Sequence, residues 1–169
     1  MTRRDQIYKW CIYALGLFPI WVLDAFVLSR YPLLGITPTL LPLAVSAVAV
    51  LEGALPGSGF GLAVGLLWTL AYPGSSSLLV FGMALAGFLV GIVSQYALKN
   101  FLGCLICSAA VLAVQEVVRL LAGLFTQIAP IQSLLQVAVP EFLWSLCWMP
   151  LVYLIFRSIF RRVGGTRLA

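Results

Sequence analysis

Four glycines, Gly53, Gly57, Gly61 and Gly65, recur at every fourth position within the stretch Glu52 to Gly65, and the sequence around them is almost wholly apolar. In a helix this spacing leaves a groove free of side chains along one face. In water each glycine would weaken the helix by roughly 1 kcal/mol relative to alanine. In lipid, where helices associate through close backbone approach and van der Waals contact, the same groove is an advantage. The pattern therefore predicts tightly packed membrane helices. Composition agrees: 63% of residues are hydrophobic and 9% charged, with a mean hydropathy of +1.10, whereas soluble domains are about one quarter charged. A chain of 169 residues, at about 20 apolar residues per span, has room for five or six spans in one membrane domain.

The expected spans are 10–28, 39–52, 58–72, 78–98, 101–125 and 139–156, an all-α bundle of six transmembrane helices. Trp10 and Tyr31 mark the interfaces of the first, and Pro32, Gly35 and Pro38 break the chain after it. The second and third are short and are expected in the interior, tilted or broken, because irregular backbone at membrane depth needs protein around it. Pro73 to Ser77 make a tight loop with Ser77 as the next N-cap, and Lys99 with Asn100 a very short turn. An uncharged polar loop, Thr126 to Gln136, precedes a last span that starts near Pro140, a residue suited to a first helical turn. Six spans put Arg3, Arg4, Lys9, Lys99, Arg157, Arg161, Arg162 and Arg167 on one face and only Arg30 on the other. The positive-inside rule makes that face, with both termini, cytoplasmic. Basic residues flanking spans also imply contact with anionic membrane lipid, not nucleic acid.

Histidine is absent, which removes Ser-His-Asp and Cys-His nucleophile systems and zincin-type metal sites. Cys11, Cys104, Cys107 and Cys147 fall in apolar segments and read as small buried hydrophobes. Ser58, between Gly57 and Gly59, has no base to activate it. Asp24 is the one intramembrane aspartate, where an aspartic mechanism needs two. The expectation is a protein without catalysis, metal or cofactor. Ionisable groups inside spans are costly, by about 2.5–3.5 kcal/mol on insertion scales, so Asp24, Glu116, Arg119 and Glu141 stand out. On the six-span arrangement they gather in the outer half of the membrane with Arg30 nearby, as a pocket or docking surface. The plainer alternative is local pairing of Glu116 with Arg119 and helix-dipole support for Glu141. Glu52, on the inner side, is expected to brace the second and third helices.

Gly35-Ile36-Thr37-Pro38, an apolar helix ending at Glu52-Gly53, then Phe60-Gly61-Leu62 and Gly65-Leu66-Leu67 together resemble the bacterial rod shape-determining protein MreD family. Many MreD-like chains carry an aspartate shortly after the Gly-Leu-Leu run, where this sequence has Trp68 and Thr69. The resemblance implies a non-enzymatic scaffold of the cell-elongation machinery in the bacterial inner membrane. Its partner would be a bitopic MreC-like protein, linked through it to MreB, RodA and a class B penicillin-binding protein in peptidoglycan synthesis. The MreD family is also similar in fold to the substrate-binding S components of energy-coupling factor transporters, which implies the alternative of an outward-facing vitamin or metal site. The short, charge-poor outer loops, with Gln127, Gln132, Ser133 and Gln136 as their polar content, favour the scaffold. So does a first helix offering Ala14 and Gly16 without a small-residue ladder. The glycine groove then either receives a partner helix or packs the second helix on the third.

Overall fold

A computed structural model describes residues 3–28, 30, 37–71, 78–96, 101–125 and 131–163. The expectations placed on Tyr31, Pro32, Gly35, Ile36, Pro73 to Ser77, Lys99, Asn100, Gln127 and Arg167 lie outside those residues. Among the described residues every regular element is helical. They are α1 (Arg3–Val22, continued by a π-helical turn Leu23–Leu28), α2 (Leu41–Glu52), α3 (Ala54–Ala71), α4 (Leu78–Tyr96), α5 (Phe101–Phe125), α6 (Ile131–Cys147) and α7 (Met149–Val163).

Among the described residues four apolar stretches are long enough to cross a membrane: Ile7–Leu28, Leu79–Tyr96, Phe101–Gly123 and Leu135–Val163. The chain is an all-α, multi-pass membrane protein. At 1.5 Å per residue, the 12 residues of α2 reach only about 18 Å, against a hydrocarbon core of about 30 Å. This helix is instead the centre of the bundle. Every residue from Leu41 to Val50 is buried, as expected of a helix apolar all round, and α1, α3, α4, α5 and α7 all pack on it.

Gly53 separates α2 from α3. Its φ of +101° is a conformation that side chains oppose and glycine adopts freely. The chain reverses there, so that α3 runs back along α2. A methyl group placed on Gly57 would stand 2.7 Å from the Ala49 side chain and 2.8 Å from the Gly87 carbonyl oxygen. Helix α4 then lies antiparallel on α3 in a register that pairs Gly57 with Gly87, Gly61 with Met83 and Gly65 with Val80, while Gly91 meets the backbone of Ala54. This corrects two expectations. The glycine face of α3 is filled chiefly by α4 and is neither an open groove nor a seam against α2 alone. Gly53 is not part of that face, since nothing lies within 4 Å of where its Cβ would be; it is the joint.

The last span also differs from its expected bounds. Helix begins at Ile131, so Pro140 lies inside α6; within a membrane helix, neighbouring groups re-satisfy the carbonyl that proline leaves free. The break comes at Trp148, where the Trp148 N–H turns tightly to the Ser145 carbonyl (3.1 Å). Pro150 in the first turn of α7 explains it, because its ring would clash with a carbonyl four residues back in a continuous helix. Helix α7 then returns beside α1, with Phe156 stacked on Tyr13 at 6.2 Å between centroids and Ile159 over Gly16. Its Tyr153 meets Phe101 at the start of α5.

Candidate functional site

The intramembrane charges collect at one end of the bundle, around the first turn of α2. The π-helical turn after α1 carries Asp24, which is 2% exposed. Such turns, with one extra residue per turn, often re-aim a side chain at a special site. Here the Leu40 N–H donates to Asp24 Oδ1 at 2.9 Å. The adjacent Thr39 N–H donates to Ser145 Oγ, also at 2.9 Å, and the two hydroxyls lie 3.4 Å apart. A buried helix start leaves backbone donors without intrahelical partners. In α2 two side chains from other elements accept from them, and the helix dipole favours the negative charge of Asp24 at that end.

Ser145 sits one turn beyond Glu141 on α6, so the two share a face. Glu141 Oε1 accepts from Arg119 Nη1 at 2.7 Å, and the same nitrogen lies 3.1 Å from Glu116 Oε1. Both carboxylates are buried, while the Arg119 side chain is 50% exposed. Glu116, Arg119 and Glu141 thus form one polar cluster, two acids on one guanidinium, which Asp24 meets through the adjoining Leu40 and Thr39 N–H groups and Ser145. It joins α1, α5 and α6 to the start of α2, so pairing extends beyond the local Glu116–Arg119 contact. Arg30 does not join it: it is exposed, and its described hydrogen bond runs from its own N–H to the Val27 carbonyl (3.2 Å).

At the opposite end Glu52 is held by α1. Lys9 pairs with Oε2 and the Tyr13 hydroxyl donates to Oε1 at 2.7 Å. The brace therefore runs from the α2–α3 joint to α1, not between α2 and α3, which touch through glycine and alanine instead. Sequence reasoning missed this pairing, and missed the serines of the middle layer. Ser46 and Ser108 hydroxyls lie 2.6 Å apart, and Ser108 also reaches the Met149 sulfur at 3.3 Å. Ser58 donates to the Leu55 carbonyl at 2.9 Å. All four cysteines are free thiols. Among the described residues no three His, Cys, Asp or Glu side chains gather as a metal site.

Compared with known proteins, the chain matches no family model, no curated protein and no solved structure. What the arrangement can do is therefore read from its geometry. The polar groups position helices, and among the described residues apolar grooves open on the surface of the bundle. One, about 780 Å³, runs between α1 and α3. Its walls include Trp10, Ala14, Phe18 and Trp21 on one side and Gly59 and Ala63 on the other, and nothing approaches within 4 Å of the Cβ position of Gly59.

The cap on α2 gives a test of the positioning role. Asp24→Ala strands a buried N–H and is expected to lower stability by about 1–2 kcal/mol. Asp24→Asn keeps a carbonyl acceptor and loses only the charge–dipole part, about 0.3–1 kcal/mol. Thermal unfolding of the detergent-solubilised variants compares them; equal losses would show that the charge, not the hydrogen bond, holds the helix start.

Proposed function

We propose that the chain is a non-enzymatic scaffold of the bacterial cell-elongation machinery, crossing the inner membrane six times with both termini in the cytoplasm. In this reading α2 and α3 form the second and third passes, shortened because the bundle covers them. The basic residues of the N-terminal turn and of α7 then face the cytoplasm, as the positive-inside rule requires. The partner is a bitopic MreC-like protein, through which MreB, RodA and a class B penicillin-binding protein are reached.

One observation carries the reading: the groove between α1 and α3 offers small residues, Ala14, Gly59 and Ala63, between aromatic ones in an apolar wall. Transmembrane helices associate by this kind of close approach. The ionisable side chains of the cluster meanwhile engage one another and the start of α2, an arrangement that suits holding shape more than handling a substrate.

Co-expression with an MreC-like chain tests it. Ala63→Phe, which fills the groove from a surface position, is expected to reduce co-purified partner at least tenfold while leaving the melting temperature within a few degrees. Unchanged recovery of the partner would remove the groove from the interface, and no recovery with the unaltered chain would end the proposal.

A further inference from the structure

A second groove, about 660 Å³, lies between α1 and α7, and its chemistry is different. Its body is apolar, walled by Ile12 and Leu15 of α1 and Leu154 and Ile155 of α7. Its floor exists because Gly16 has no side chain, which lets Ile159 lie directly on the α1 backbone. Its rim is polar: Tyr8, Ser158 and Arg162. These sit where α1 starts and α7 ends. That end of the bundle is opposite the Asp24–Glu141 cluster, since α5 leads from Arg119 back to Phe101, which packs on Tyr153.

We propose that this groove binds one anionic phospholipid, an acyl chain lying along Ile12, Leu15, Leu154 and Ile155 and the phosphate meeting Arg162, with the Tyr8 and Ser158 hydroxyls beside it. Charge complementarity selects this occupant. A guanidinium presents paired N–H donors that match phosphate oxygens, and basic pockets between membrane helices at the charged face take acidic headgroups. The other cations nearby are placed differently. Arg157 lies over the Tyr153 ring at 5.8 Å, and Lys9 is paired with Glu52; among the described residues that line the groove, Arg162 is the cation. The α1–α3 groove has apolar walls throughout and no cation among its lining residues, so it lacks a headgroup site. Inorganic phosphate alone would leave the apolar body of the α1–α7 groove unfilled.

The test is native mass spectrometry of the full-length protein in neutral detergent, titrated separately with phosphatidylglycerol and phosphatidylcholine. The unaltered protein is expected to retain one phosphatidylglycerol in preference to phosphatidylcholine. Arg162→Gln should weaken phosphatidylglycerol about fivefold, the effect of one basic residue at a membrane surface, and phosphatidylcholine less, because choline already balances its phosphate. Arg161→Gln makes the same charge change off the groove and should leave the preference intact. Leu15→Trp, at an exposed position, should fill the groove and lower retention of both lipids. Equal retention of the two lipids by the unaltered protein, equal effects of Arg161→Gln and Arg162→Gln, or full lipid retention by Leu15→Trp would each overturn the proposal. Arg162 is on the surface, so its variant remains informative if the tryptophan impairs folding.

Discussion

Gly61→Ala is expected to destabilise the protein by about 1–3 kcal/mol and Gly61→Leu to prevent recovery of folded material, whereas Gly59→Ala, two residues earlier in the same helix, is neutral or stabilising. Two effects compete. Alanine in place of a helical glycine gains up to about 1 kcal/mol through backbone entropy. Against this stands the space the new side chain must find. At Gly59 nothing lies within 4 Å of the Cβ position; at Gly61 the methyl would run into the Met83 carbonyl, its carbon at 2.9 Å, with Ala84 Cα at 3.1 Å. Those are backbone atoms of a packed helix and cannot swing aside, so α3 and α4 must part. Overpacking costs about 1–3 kcal/mol, and parting loses contacts along the register from Gly65 to Gly57 as well. Leucine, with three more carbons, exceeds what a protein of ordinary stability can absorb. Gel filtration and thermal unfolding of the four variants at positions 59 and 61, each to Ala and Leu, make the comparison. Matching melting temperatures at the two positions would show that the helix contact is not what the glycines are for.

The same contrast marks how far the sequence was readable. That α3 carries a side-chain-free face follows from spacing alone. Which helix fills that face does not, because it depends on a reversal at Gly53, and nothing in a four-residue repeat distinguishes the glycine that turns the chain from those that pack. The acids were legible as a group because charges in lipid must find partners. Their geometry was not, since it rests on Ser145 and Asp24 reaching the start of a helix far away in sequence. Pro140 and Pro150 show the limit most plainly. Both are candidate helix breakers, and the one at Pro150 acts because α7 must turn to lie against α1, α2 and α5, while α6 runs through Pro140 from Ile131.

The charged cluster makes the sharper energetic case. Arg119→Gln removes the cation that pairs with both Glu116 and Glu141 and leaves the two acids in a site where their side chains are 12% and 9% exposed. Removing one partner of a fully buried pair costs about 3–5 kcal/mol. Half of the Arg119 side chain reaches the surface, which lowers the expected loss to about 2–3 kcal/mol. The cause is the uncompensated charge left behind rather than the worth of the pair, so it should be reversible without restoring the arginine. Adding Glu116→Gln and Glu141→Gln to the Arg119→Gln chain replaces the unbalanced acids with amides that can hydrogen-bond to one another, and is expected to recover most of the loss. If the triple variant is as unstable as the single one, the guanidinium's own contacts between α5 and α6 hold the site. If Arg119→Gln alone melts within a degree or two of the unaltered protein, the acids are already balanced by something other than Arg119. The non-additivity of the three substitutions, measured in one detergent at one pH, is therefore the quantity that separates a balanced charge cluster from three independent surface contacts.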